Sequence, residues 1–298
     1  MDNIYRLIFF AASLFIVVPS FAELRDFQTT RLISTGGTGV GSILMDEATL
    51  LNPAPLAFFT VTSFYAQKTK TSFDDKTNTP PTNIPKTDNW GFIASDGNGN
   101  LGASISYQKQ KSGGSERKRW AAAMAIPADK TSAMGISIRR TSDRDSRDSI
   151  TYEESSNCQF VLGVTHAVNS SFTLGLVVID PTKRIQNDTK ALVGIQYVYQ
   201  EFIAIMIDGG TDYTQTMREK SQYHAALQFK VFSDVFLRAG VFEDKAKHER
   251  GNGAGLGWVT PKLVFEAAIG SKSLVAYENI RTKKQEAKEA SFSLSYRF

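Results

Sequence analysis

Three histidines and one cysteine are the side chains of this sequence best suited to nucleophilic or metal chemistry. The strand pattern described below places His166 at a strand end, His224 on a polar strand face and His248 in a loop. A lipid hydrolase would need a serine, a histidine and an amide together on the lipid-facing side. The single cysteine, Cys158, excludes an intrachain disulfide and a cysteine zinc cluster. We therefore expect no enzyme, no cofactor and no metal site.

A glycine-rich run is the next candidate for a binding site. Gly36, Gly37, Gly39 and Gly41 lie between Leu32 and Ser42. The run lacks the lysine of a phosphate-binding loop and the glycine spacing of a dinucleotide fold, so nucleotide binding is disfavoured. The net charge of +4 is too small for a concentrated basic patch. Nucleic acid is therefore not expected as a partner.

The first 22 residues have the pattern of a signal peptide. Arg6 precedes an apolar run from residue 7 to residue 18, and small residues follow up to Ala22. An uncleaved membrane anchor is the alternative, but the run is short for a span and no later stretch is longer. We expect export and cleavage after Ala22.

From residue 57 to the C-terminus, apolar residues alternate with polar or small ones at the period of a β-strand. The last strand shows this best: Phe292, Leu294, Tyr296 and Phe298 alternate with serines and an arginine. The pattern predicts fourteen strands, at residues 58–68, 88–95, 100–110, 118–126, 131–140, 158–167, 171–180, 189–199, 202–209, 221–231, 235–244, 252–260, 262–272 and 289–298.

Short and long connections alternate between these predicted strands, which is typical of outer-membrane barrels. Lipid offers no hydrogen-bond partners, so a sheet that crosses a membrane must close on itself. A soluble β-sandwich or a lipocalin-like barrel also alternates, but a lipocalin has only eight strands. The predicted fold is an all-β, 14-stranded antiparallel transmembrane β-barrel of residues 57–298. It would lie in the outer membrane of a Gram-negative bacterium.

Residues 23–56 lack this alternation and are predicted to form a hatch inside the lumen. Ser42 is a candidate cap for a short helix. Apolar residues such as Leu32, Val40 and Leu50 would otherwise be exposed to water. The interior of a 14-stranded barrel is too wide for its own side chains to fill, so this segment would occupy it.

This N-terminal segment resembles the FadL/TodX family of outer-membrane transporters for long-chain fatty acids and aromatic hydrocarbons. The residues that carry the resemblance are Gly36, Gly37, Gly39, Gly41, Asp46, Ala48, Asn52, Pro53, Ala54 and Leu56. The resemblance implies fourteen strands and a hatch that contains Asn52, Pro53 and Ala54. The outer loops are much shorter here, so the family's outer hydrophobic groove is not expected.

Six titratable residues are predicted to face the lumen: Arg139, His224, Lys230, Arg238, Glu266 and Arg297. Charges are tolerated there because the lumen is polar. Mutual neutralisation is the favoured interpretation, with substrate selection as the alternative. Arg238 and Glu266 lie two strands apart and are expected to pair.

The predicted function is outer-membrane transport of hydrophobic, fatty-acid-like small molecules through a hatch-plugged barrel. A general diffusion porin and a non-transport structural or adhesive barrel are the alternatives. Outer-membrane lipids and lipopolysaccharide would surround the barrel. Phe292, Leu294, Tyr296 and Phe298 resemble the terminal signal that the barrel-assembly machinery reads.

Overall fold

The computed structural model describes residues 26–74, 86–146, 152–183, 189–213, 220–274 and 285–298. The predicted signal peptide, residues 1–22, lies outside these ranges. Within them, no helix combines the length and the apolar character that crossing a membrane requires.

Fourteen strands form a closed barrel in which each strand pairs with its neighbours in sequence and β14 pairs with β1. Every pairing is antiparallel. The predicted closed, 14-stranded antiparallel barrel is therefore confirmed. The strands are β1 Thr62–Asp74, β2 Thr87–Gly97, β3 Gly102–Ser112, β4 Ser115–Pro127, β5 Ser132–Ser146, β6 Tyr152–Ala167, β7 Phe172–Ile179, β8 Lys190–Tyr199, β9 Ile203–Thr211, β10 Ser221–Lys230, β11 Val235–Asp244, β12 Glu249–Val259, β13 Leu263–Leu274 and β14 Gln285–Arg297.

Two predictions about the N-terminal region differ from the structure. The first strand begins at Thr62 rather than at residue 58, because Ala54–Phe58 form a 3-10 helix behind Pro53. The helix predicted after Ser42 is replaced by consecutive turns, and the one α-helix described here, α1, is Thr30–Ser34. Thr29 caps α1, since its side chain accepts a hydrogen bond from Leu32 N.

Several strands also extend beyond their predicted ends on the side of the long connections. β5 continues to Ser146 and β6 begins at Tyr152, where a loop was predicted. Cross-strand ion pairs hold such polar extensions together, as between Arg117 and Asp143, whose Nε and Oδ1 atoms lie 2.7 Å apart. Period-two apolarity therefore marks only the central part of each strand.

The two faces of the barrel wall differ in chemistry. On β4, buried inward residues alternate with exposed outward ones, and the outward Trp120 and Met124 are 59% and 52% exposed. The inward face carries small or polar residues such as Ser104, Ser137 and Ser293, each at most 3% exposed. Closure explains this arrangement, because the outward face of a closed sheet has no protein to cover it.

Candidate functional site: the N-terminal segment and the inner wall

The N-terminal segment, residues 26–61, contacts the inward face of the wall around most of the barrel. Helix α1 packs on β11 to β14, and the 3-10 helix packs on β2 to β6. Between them, the chain passes β10, β8 and β7 through Gly37, Gly41 and Val40. Most of the segment is buried, including Leu32, Val40 and Leu56, each at most 3% exposed.

Four cross-strand pairs of wall glycines receive the backbone of this segment. We call them the glycine pairs: Gly97–Gly102, Gly135–Gly163, Gly175–Gly194 and Gly240–Gly253. A Cβ atom added at any of the eight would lie within 3.0 Å of an atom of the segment, a separation that real side chains do not tolerate. At these positions the wall therefore has no side chain, and the backbone of the segment lies directly against the backbone of the strands.

Each glycine pair faces a particular stretch of the segment. Gly240–Gly253 faces Ile33 and Thr35, and Gly175–Gly194 faces Val40 and Gly41. The remaining pairs face the stretch from Asn52 to Phe59. Between Gly41 and Asn52, side chains of the wall contact the segment instead: Arg139 Nε donates to Thr49 O, and Ser63 Oγ donates to Asp46 Oδ1.

Hydrogen bonds fix the segment beside these contacts. Asp208 Oδ2 accepts bonds from the amides of Gly39 at 2.7 Å and Val40 at 3.0 Å. The amide group of Asn52 donates to Val40 O at 2.9 Å and to Thr165 Oγ1 at 3.0 Å, and its Oδ1 accepts from Ala54 N. Asn52 therefore ties two parts of the segment to each other and to β6.

A buried charge network joins helix α1 to the wall. Glu266 Oε1 accepts from Arg31 Nη2 at 2.9 Å and lies 2.9 Å from Arg238 Nη1, so the predicted Arg238–Glu266 pair forms. Arg238 Nε also donates to Gln228 Oε1 at 2.7 Å. One carboxylate thus faces two guanidinium groups, one from the wall and one from the segment. Glu47 adds a second carboxylate, 4.0 Å from Arg31 Nε.

The other predicted lumen residues also lie on the inward face. Arg139 Nε donates to Thr49 O at 3.0 Å, His224 Nδ1 to Gly36 O at 2.7 Å, and Arg297 lies 3.7 Å from Asp46. Lys230 stands apart from them, at the short-turn end of β10. Three of these four residues therefore contact the segment.

Two carboxyl groups of the segment have shifted pKa values. Burial raises the pKa of Glu47 to about 7, against the opposing effect of Arg31. Its Oε1 accepts from Thr29 Oγ1 at 3.0 Å, whereas its buried Oε2 has no hydrogen-bond partner among the described residues. The nearby Lys247 ammonium holds the pKa of Asp26 well below its usual range.

The residues considered for catalysis are dispersed. His224 is buried beside Gly36, and His248 lies in the β11–β12 turn. His166 Nδ1 lies 2.9 Å from Ser132 Oγ on the exposed short-turn end, but the neighbouring Asp129 accepts from the serine rather than from the histidine. This order does not activate a serine, because the acid must orient the histidine. No metal-binding cluster of His, Cys, Asp or Glu occurs among the described residues.

The predicted assembly residues form an outward apolar row on β14. Phe292 and Phe298 are 55% and 60% exposed, and the ring of Phe298 lies 5.7 Å from that of Phe64 on β1. The amide of Phe298 donates to Thr62 O, and its carbonyl accepts from Thr62 N. The last residue therefore closes the β1–β14 ladder.

A cavity of about 180 Å³ lies between the segment and the inner faces of β8 to β11. The segment contributes Ile43 and Leu44, and the wall contributes Met206 and Phe236. Glu201 and Phe202, in the β8–β9 turn, line it at the short-turn end.

Solved structures with the same architecture identify the fold. The chain is similar to the toluene transporter TbuX of Ralstonia pickettii, with a TM-score of 0.69 and 11% identity over 92% of this chain and 99% of that one. For the CymD monoaromatic hydrocarbon channel the TM-score is 0.68 and the identity 10%, over 91% of this chain and 97% of that one. For a FadL homologue of Pseudomonas aeruginosa the TM-score is 0.61 and the identity 12%, over 93% of this chain and 99% of that one. The fold is that of a FadL homologue.

The FadL-like fold confirms, at the level of architecture, the resemblance drawn from the glycine-rich run and the Asn52-Pro53-Ala54 motif. No protein-family model and no curated protein matches the sequence. The relationship therefore rests on the shared architecture. At 10–12% sequence identity, this similarity defines the fold of the barrel but no substrate.

Several residues that join the segment to the wall were missed in the sequence. Asp208 and Tyr65 on the wall and Arg31 on the segment each make such a contact. Asp208 had a detectable signal, since it is an acidic residue at an inward, period-two position of an otherwise apolar strand. Tyr65 also falls on the inward face of β1, but its bond from Thr30 N depends on how the segment folds.

Proposed function

We propose that this chain is an outer-membrane transporter for hydrophobic small molecules and that its N-terminal segment is the hatch. One observation carries the proposal: the segment contacts inward faces around most of a barrel whose fold is shared with proteins described as toluene transporters and hydrocarbon channels. A segment arranged in this way would block the lumen and make passage conditional.

The outward face supports a membrane location. Trp90, Tyr107 and Trp120 form a chain of aromatic contacts on β2 to β4, with ring centroids 4.5–5.3 Å apart, toward the long connections. Tyr199 and Phe298 lie at the opposite ends of their strands, where the connections are short. Aromatic residues on both sides of an apolar band are typical of outer-membrane barrels. Lipids, lipopolysaccharide and the barrel-assembly machinery would then be the partners of this surface.

The hatch role rests on how the segment is held. Its apolar side chains are buried, and its backbone fits the glycine pairs too closely for water to pass between them. Fourteen strands enclose a lumen that would otherwise be a water channel. In the proposed mechanism, a fatty-acid-like chain or an aromatic hydrocarbon enters from outside and displaces part of the segment. It then leaves at the short-turn end or through the wall.

The test is a variant that lacks residues 24–50, measured beside the parent. Both proteins are refolded and accepted only if they show the heat-modifiable migration of a closed barrel. We expect the variant to conduct small ions freely, whereas the parent conducts them rarely and still passes a fluorescent hydrophobic probe. A folded variant no leakier than the parent would refute the hatch. A parent that conducts continuously would instead indicate a diffusion porin.

A further inference from the structure

The cavity beneath the segment has the size of a single aromatic ring. Its volume is about 180 Å³, and an apolar cavity of about 150 Å³ is enough to hold benzene. One ring with a small substituent fits.

The lining of the cavity is apolar on two sides. Ile43 and Leu44 come from the segment, and Met206 and Phe236 come from the inward faces of β9 and β11. Ile43 is 37% exposed, whereas Gly41 and Ser42 before it are buried. An apolar side chain held open to a cavity favours an apolar occupant.

Two amide side chains, Gln196 and Gln228, add hydrogen-bonding capacity to this lining. The Oε1 atom of Gln228 accepts from Arg238, so its NH₂ group is what it offers to an occupant. Within the described part of the chain, the amide of Gln196 makes no hydrogen bond and retains both a donor and an acceptor. A hydroxyl group can donate to one amide and accept from another.

The charges around the cavity disfavour an anion. Arg31 is the cation in the lining, and the carboxylates of Glu266 and Glu47 lie 2.9 Å and 4.0 Å from its guanidinium group. The exposed Glu201 places a negative charge at the short-turn edge. A carboxylate would therefore meet like charge on entry and a guanidinium that is already paired.

From these observations we propose that the cavity is a binding site for a neutral, single-ring aromatic molecule that carries one hydroxyl group, a monocyclic phenol. The site would hold the molecule on the short-turn side of the segment, after it has passed the hatch. This inference rests on the proposed function for the direction of passage, but the binding itself does not require transport.

The experiment measures binding by fluorine NMR to the refolded full chain in lipid nanodiscs, with empty nanodiscs as the blank. The probes are 4-fluorophenol, 4-fluorotoluene and 4-fluorobenzoate. Ala204→Leu fills the cavity from the wall. Ala225→Leu makes the same change on the outward face of the adjacent β10 and is the matched control. Gln196→Leu removes the amide and keeps a similar volume.

We expect saturable binding of 4-fluorophenol, weaker binding of 4-fluorotoluene and none of 4-fluorobenzoate. Ala204→Leu should weaken phenol binding at least tenfold, and Ala225→Leu should leave it unchanged. Gln196→Leu should weaken phenol binding roughly fivefold, the effect of one hydrogen bond, without affecting the toluene probe. If Ala204→Leu does not fold, the proposal is judged by whether Gln196→Leu weakens binding of 4-fluorophenol but not of 4-fluorotoluene.

Equal binding by Ala204→Leu and Ala225→Leu would overturn the site, as would tighter binding of the benzoate. Equal losses of both probes in Gln196→Leu would overturn the phenol assignment. The hatch is judged separately by the conductance of the variant lacking residues 24–50. A leaky deletion variant together with a parent that binds no phenol would refute only the site.

Discussion

The glycine pairs give the sharpest test of how the segment is held. In Gly240→Ala, the new Cβ would overlap the carbonyl group of Thr35. Gly209→Ala is the matched control, because Gly209 lies on the outward face of β9 and its added Cβ would meet nothing within 4 Å. Both changes replace a strand glycine by alanine, and both positions have ordinary backbone angles.

The expected magnitude follows from the two opposing effects of this change. Replacing glycine by alanine stabilises a compatible position by about 0.4–1 kcal/mol through the unfolded chain. Overpacking costs about 1–3 kcal/mol. The first effect is common to both variants, so the difference between them should be about 1–3 kcal/mol. If the cost falls on the seated segment, the unseated population rises roughly fivefold to 150-fold.

The assays are denaturant unfolding in detergent and single-channel conductance in a planar bilayer. Gly240→Ala should unfold at lower denaturant than Gly209→Ala and should open more often to small ions. Gly135→Ala, at another glycine pair, should behave like Gly240→Ala. Equal stability and equal conductance in Gly240→Ala and Gly209→Ala would show that the close approach does not hold the segment.

Three other predictions concern the network, the pH response and the closing strand. Glu266→Gln leaves Arg31 and Arg238 without a shared counter-charge and should cost about 3–5 kcal/mol of unfolding free energy. The control is Asp88→Asn, at the exposed pair with Lys68, which should cost about 0–1 kcal/mol. Similar losses in the two variants would contradict the buried network. Burial raises the pKa of Glu47 to about 7 from 4.5, so the folded chain keeps this proton longer than the unfolded chain and loses stability as the pH rises between these values. Denaturation at pH 5 and pH 8 should show this loss in the parent and less of it in Glu47→Gln, and an undiminished loss in that variant would exclude Glu47 as its source. Deletion of Phe298 removes two backbone hydrogen bonds to Thr62 and the ring contact with Phe64, so the yield of heat-modifiable protein should fall. The control is Phe232→Ala, which changes a phenylalanine in an exposed turn. Equal yields of the two variants would reject the role of Phe298.

The sequence was informative about the wall because each strand has a buried and an exposed face, and period two records that difference directly. The central parts of β3, β4 and β14 could therefore be located from residues such as Ile105, Met124 and Leu294. The ends of β5 and β6 could not, because their polar residues pair with each other and carry no apolar alternation.

The candidate site was less predictable because it depends on long-range contacts of an irregular segment. Arg238 and Glu266 could be paired from their inward positions on strands two apart. Their third partner, Arg31, lies 207 and 235 residues away in sequence (238 − 31 and 266 − 31) and on a helix that no pattern indicated. The wall glycines occupy inward, period-two positions of their strands, but their pairing with particular segment atoms requires the register of the barrel.

The distribution of the glycine pairs also bears on the order of assembly. They lie on β2–β3, β5–β6, β7–β8 and β11–β12, and the segment binds the seam as well, through Asp46 to Ser63 on β1 and Thr30 to Ser291 on β14. A sheet that still lacks its last strand offers only part of these partners. We therefore expect the segment to reach its final position only as the barrel closes, so that closure of the seam and burial of the segment complete each other in one cooperative step.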